Sequence, residues 1–151
     1  MRTFASAGEL LAAVGEHLGY SEWQEISQER VNLFAEATGD HQWIHVDPER
    51  AASGPFGTTI AHGFLTLSLL PTLVSQIYRV ENVRMGINYG LDLVRFPAPL
   101  PVGAKVRAGL ELLVADDKGD GWVQLKNRVT IEREAHDKPV CVAESLTRLL
   151  I

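Results

Sequence analysis

"HGFLTLSLLPTLVSQIY", residues 62 to 78, is the most apolar stretch of the chain. Its apolar side chains surround a helical axis instead of lining one stripe, and a helix of that kind is buried on most sides. Pro71 lies inside the run and predicts a kink, because proline removes one backbone donor and crowds the turn before it. Ser68 and Thr72 carry hydroxyls suited to the carbonyls so freed. A helix apolar all round needs a partner that covers nearly all of it.

The chain after residue 80 supplies that partner. "VRMGINYGLDLVRF" (83–96), "AKVRAGLELLVAD" (104–116), "GWVQLKNRVTIERE" (121–134) and "PVCVAESLTRLL" (139–150) are four strand candidates. "PAPLPVG" and "DDKGDG" punctuate them, the second as a hairpin turn. In the third, Trp122, Gln124, Lys126 and Arg128 alternate with Val123, Leu125, Val129 and Ile131, with a slip predicted near Asn127. Helices first and antiparallel strands afterwards indicate an α+β domain: a curved antiparallel sheet wrapped around the apolar helix.

Upstream, "SAGELLAAVGEHLG" (6–19) reads as a short amphipathic helix with Leu10, Leu11 and Val14 inward and Gly19 closing it. "SEWQEIS" (21–27) reads as a first strand. Ser27 is an N-cap candidate for a helix carrying Val31, Phe34, Ala35 and Thr38, and Gly39 suits its C-terminal end. Asp47-Pro48 signals a restart, a carboxylate cap followed by proline at the first helical position, with a short helix near 48–53. "SGPFGTT" (53–59) is a loop.

A length of 151 residues fits one domain, 1–151, and folding at that size buries roughly 68–70% of the unfolded surface. Apolar residues make up 46% and charged residues 22%, as in globular proteins. A formal net charge of −5 argues against nucleic acid as a partner, which calls for a basic footprint. No run reaches the ~18 apolar residues of a membrane span, and the N-terminal stretch lacks the unbroken apolar region of a signal peptide. Cys141 is the only cysteine, so no intramolecular disulfide forms; among strand formers it is expected to pack as a small hydrophobe. The expected location is the cytoplasm.

The chemistry concentrates in "TGDHQWIH", residues 38–45. Asp40 and His45 are five residues apart and would diverge by about 140° on a regular helix, so they converge only across a turn, which Gly39 favours. A carboxylate and an imidazole aimed at one water can activate it and manage its protons. The bland alternative is that Asp40 caps a turn and His45 packs against Trp43. Asp40, His41, His45 and Asp47 also carry ligand atoms for zinc or iron, but Asp47 is expected to serve as a cap and no Cys or further His pattern closes a site. A serine hydrolase has no G-x-S-x-G elbow here, and "GINYG" lacks the helix a dinucleotide fingerprint requires. A second element is "FGTTIAHGF" (56–64). Gly63, at the start of the buried helix, leaves a backbone N–H open to close approach, and helix N-termini suit a developing oxyanion. His62 either caps that helix or faces the site. Tight helix–sheet packing is the competing account of Gly63.

"FAEATGDHQWIHVDPERA", then "FGTTIAHGF", then "VRFPAPLPVGAKV" resemble, in this order and spacing, the MaoC-like (R)-specific enoyl-CoA hydratases, most closely the branch with nodulation protein N-like proteins. The resemblance runs from about Ser27 to the C-terminus. It implies a hot-dog fold, in agreement with the helix-in-sheet reading. It implies that Asp40 and His45 activate a water for syn addition to an enoyl thioester and that the Gly63 N–H stabilises the enolate oxygen. The substrate is then a trans-2-enoyl-CoA and the product an (R)-3-hydroxyacyl-CoA, with no metal or redox cofactor and a homodimeric assembly. Arg95 resembles a basic position suited to CoA phosphates or to simple strand-end solvation. Two departures concern substrate range: Gln42-Trp43 stand where the family has Asn-Pro, and Pro71 where some members have serine. A hot-dog thioesterase and a non-catalytic acyl-thioester binding module are the alternatives.

Overall fold

The computed structural model describes residues 1–151. Strands β5 (Met85–Arg95), β6 (Lys105–Gly119), β7 (Trp122–Arg133) and β8 (Cys141–Leu150) are the four predicted runs. With β2 (His17–Tyr20) they form an antiparallel sheet in the order β2-β6-β7-β8-β5, and β3 (Gln24–Glu25) also pairs with β6. A short parallel pair joins β1 (Arg2–Phe4) to β4 (Tyr78–Val80). No helix is long and apolar enough to cross a membrane.

The apolar run is two helices, α5 (Gly63–Ser68) and α6 (Leu70–Ile77), meeting at Leu69. Pro71 sits in the first turn of α6, where a missing N–H leaves no hydrogen bond unmade. The predicted kink is therefore a restart. Ser68 donates to the Phe64 carbonyl at 2.6 Å, one turn back on its own helix. Leu65, Leu69, Leu70, Leu73 and Ile77 are buried against Val106, Leu110, Leu112, Leu125, Val129 and Ile131 of the sheet. Burying each such Leu or Ile contributes roughly 1.5–3 kcal/mol of transfer free energy, so this layer holds the sheet around the helices.

Helix α2 (Gln28–Thr38) starts and stops where its caps predict. The Ser27 hydroxyl accepts from the Arg30 N–H, and Gly39 closes the helix at φ +80°. Asp47 caps α4 (Pro48–Ala52) through the Arg50 N–H. Three expectations fail. Helix α1 (Ala7–Ala12) ends well before Gly19, because the chain turns at Gly15, φ +88°, and the next residues pair with β6. Val14 is consequently exposed. The strand expected over 21–27 shrinks to two residues, Gln24–Glu25. No slip occurs in β7: its alternation runs unbroken through Asn127, which takes an inward, buried position. The irregularity lies opposite, in β6 between Leu112 and Val114. Cys141 is fully buried, and burial pushes its thiol up to about 11, as befits a core residue.

Candidate active site

Gly39 ends α2 in the left-handed conformation and redirects the chain, so Asp40 leaves the helix axis. Its carboxylate accepts from the Gln42 N–H at 3.4 Å and stays exposed. A single turn, α3 (Trp43–Val46), then turns His45 inward, where it is buried. His45 does not pack on Trp43. The Trp43 ring instead lies under the Arg50 guanidinium, 4.4 Å from its centroid, on the α4 side.

The second half of the site comes from residues 59–63, a strap fastened at both ends. The Ala61 N–H donates to the Leu100 carbonyl at 2.8 Å and the Val102 N–H to the Thr59 carbonyl at 2.9 Å. Gln28 ties this strap to the first half. Its amide donates to the His45 carbonyl at 2.8 Å, and its carbonyl oxygen accepts from the Thr59 hydroxyl at 2.6 Å. Gln28 and Thr59 escaped sequence reasoning, because a helix-start glutamine and a loop threonine carry no chemical signature of their own.

The two halves meet at the histidines. His45 Nδ1–H donates to the Ile60 carbonyl at 2.7 Å, which leaves Nε2 with a free lone pair. His62 does not cap α5 with its side chain. Its Nε2–H donates to the Asp40 backbone carbonyl at 3.0 Å, and its ring stacks on His45 with centroids 3.9 Å apart. The His62 Nδ1 is buried without a partner. Asp40, His45 and His62 present ligand-type atoms within 4.8 Å of one another. Such a group can share one water or hold one cation. Its chemistry is set by His45: burial above all, and then the adjacent His62, hold its imidazolium below the ordinary histidine value, against the Ile60 carbonyl and Asp40, which pull upward. A neutral imidazole with a free Nε2 beside a carboxylate can act as a general base.

Gly63 follows directly as the first residue of α5, so its N–H has no acceptor within the helix. A Cβ at Gly63 would lie 3.0 Å from the Phe96 ring, so close packing does contribute to the need for glycine here. Arg95 is not brought into the cluster: it ends β5, exposed, with its guanidinium donating to the Val94 carbonyl at 2.8 Å. His41 also stays outside, 3.5 Å from Glu36 on the surface.

The family described as MaoC like domain matches residues 9–134. The chain is 62% identical over 148 residues to the 3-hydroxyacyl-thioester dehydratase Z of Mycobacterium tuberculosis, covering 98% of each chain. It is 44% identical over 144 residues to nodulation protein N of Rhizobium leguminosarum bv. viciae, covering 94% of this chain and 89% of that one. Among solved structures it resembles the unliganded R-hydratase PhaJ1 from Pseudomonas aeruginosa, with a TM-score of 0.68 and 26% identity, covering 89% of this chain and 79% of that one.

Proposed function

The chain belongs to the MaoC-like dehydratase family, and on that premise we propose that it is a hydro-lyase of 3-hydroxyacyl thioesters. Its reaction is the reversible, (R)-specific hydration of a trans-2-enoyl-CoA. The observation that carries this reading is the convergence of Asp40, His45 and His62 at the start of α5. The names of the relatives support it: a 3-hydroxyacyl-thioester dehydratase across the full length and an R-hydratase among the structures.

In the forward direction, Asp40 and His45 hold a water over C3 of the enoyl group. His45 Nε2 takes one proton as the hydroxyl oxygen bonds to C3. The C2–C3 π electrons move toward the thioester, and the enolate oxygen accepts a hydrogen bond from the Gly63 N–H. The pair then returns a proton to C2 on the same face, so one water is added overall. The chemistry requires neither a metal nor a redox cofactor. Arg95, exposed at the end of β5 and adjacent in sequence to the Phe96 that packs on Gly63, is the cation we propose for the CoA phosphates. We also propose a cytoplasmic homodimer. β5 is an edge strand of 11 residues that exposes Met85, Ile87, Tyr89 and Leu91, and such an edge invites pairing unless covered.

Incubation with crotonyl-CoA tests the reaction. Loss of the enoyl chromophore without thiol release, and an (R)-alcohol on chiral analysis, is the expected result. Thiol release would replace the reading with a thioesterase. Binding without either change would replace it with a non-catalytic module, and an (S)-product would overturn the stereochemistry.

A further inference from the structure

A cleft of about 770 Å3 opens between α5–α6 and strands β5 and β8. It begins one helical turn beyond Gly63, at Leu67, and passes Pro71 and Val74 to Tyr78. Leu67 stands one turn beyond Gly63 on α5, and Pro71, Val74 and Tyr78 follow along α6 to its C-cap, so the cleft opens one turn past the proposed oxyanion donor and runs along the helices. Ser68 and Ser75, also on its wall, spend their hydroxyls on the helix carbonyls of Phe64 and Thr72.

The far part of the cleft differs. Asn127 lines it, only 2% exposed, between the inward apolar neighbours Leu125 and Val129. Its Oδ1 has no hydrogen-bond partner. A buried amide left in that state costs free energy unless something enters to satisfy it. Tyr78 lies beside it, buried; burial pushes its phenol up to about 12, and the neighbouring Asn127 amide partly offsets this. The phenol therefore stays protonated. An amide oxygen without a partner and a neutral phenol form a polar floor under otherwise apolar walls.

The register places this floor relative to the chemistry. Asn127 pairs with Ser145, and Ser145 with Leu91. Leu91 is five residues before Phe96, the residue packed on Gly63, and a bulge between Leu91 and Leu93 takes up one of them, which leaves a separation of about 13 Å at the rise of an extended strand. A short acyl group cannot span that distance; a longer tail can.

We propose that this cleft receives the acyl tail of the thioester, and that Asn127, with Tyr78, selects tails carrying a hydroxyl group far from the reacting carbons. This rests on the hydratase reading given above. A hydroxyl is the group that fits because it both donates and accepts. It satisfies the amide whichever way its oxygen and nitrogen are turned, and it can bond the phenol as well.

The test compares trans-2-enoyl-CoAs of increasing chain length, each with and without a terminal hydroxyl. For the wild-type protein, kcat/KM should favour the hydroxylated member on the order of tenfold at one chain length, with no such preference at shorter lengths. Asn127→Leu should collapse that ratio by slowing the hydroxylated substrate and favouring the plain one. Tyr78→Phe should reduce it partially. A wild-type ratio near one at every length, as when only water occupies the floor, overturns the proposal without reference to any variant. So does a preference that survives in a folded Asn127→Leu protein. Crotonyl-CoA separates the two readings: if it is not hydrated, the hydratase reading fails. Calorimetric binding of the same paired thioesters then decides the cleft on its own, a tighter hydroxylated member supporting the proposal and equal affinities overturning it.

Discussion

The imidazoles of His45 and His62 stack with centroids 3.9 Å apart and planes 25° from parallel. Each donates one ring N–H to a backbone carbonyl, His45 to Ile60 and His62 to Asp40. Two rings from separate segments thus fix the orientation of the His45 imidazole and hold the backbone of Asp40 beside it.

In the proposed reaction His62 is a positioning residue. His62→Phe keeps a ring in the stack but abandons the Asp40 carbonyl. It should lower kcat roughly tenfold or more, the order expected when a buried hydrogen-bond partner is removed, with KM less affected. Because His62 also helps hold His45 below its ordinary value, the acid limb of the pH–rate profile should move to higher pH. An unmoved limb with lowered kcat would mean that His62 acts only on Asp40.

Asp40 and His45 should behave as one unit. Asp40→Asn and His45→Gln should each remove most turnover of crotonyl-CoA, and the double variant should lose little more, since groups serving one step are not additive. Asp40 is exposed, so Asp40→Asn should melt within a few degrees of wild type. Near-normal activity in either single variant would break the assignment.

Acid should destabilise the fold in two separate windows. The folded value of His45 is lowered, so the unfolded chain binds the proton more readily, and stability is lost as pH falls below about 6.5. Glu144 ion-pairs with Lys126 at 2.9 Å and Arg128 at 3.1 Å, and hydrogen bonds from these two hold it below its usual value. Its contribution is present above about 4.3 and lost below. Urea midpoints across this range should show the upper step in wild type and lose it in His45→Gln.

Gly63 needs a test that separates crowding of substrate from crowding of Phe96. Gly63→Ala places a Cβ 3.0 Å from that ring, and the ring, 41% exposed, has room to swing away. Losing an oxyanion donor costs on the order of 10²–10³ in kcat. Gly63→Ala keeps the N–H and adds a methyl that crowds the thioester oxygen, so in the proposed role a loss approaching that size should appear with Gly63→Ala made in a Phe96→Ala background, measured against Phe96→Ala alone. If the loss vanishes there, glycine is required for packing and not for the thioester oxygen.

The exposed β5 edge predicts a dimer mass by light scattering at micromolar concentration. Ile87→Lys puts a charge on that edge, a device that opposes edge pairing, and should yield monomers with impaired turnover. A fully active wild-type monomer would contradict the assembly.

Local chemistry made much of this protein legible. The Ser27 and Asp47 caps, the Gly39 stop and the four long strands follow from contacts within a few residues or from period-two patterning, and the all-round apolar run required an enclosing sheet. Asp40, His45 and Gly63 were nameable because the motif carries them. The arrangement that brings Asp40 and His45 together with His62 was not. The His45–His62 stack depends on the strap at 59–63 being tied to Leu100, Val102 and Gln28, contacts between residues distant in sequence. Asn127 looked like a break in β7 because a polar side chain at an inward position contradicts the pattern; only the cleft beneath the helices supplies the space it faces. The N-terminal helix failed for a related reason: the edge of β6 offered His17–Tyr20 a ladder of hydrogen bonds, and that tertiary pairing overrode the helical spacing which had extended the helix to Gly19.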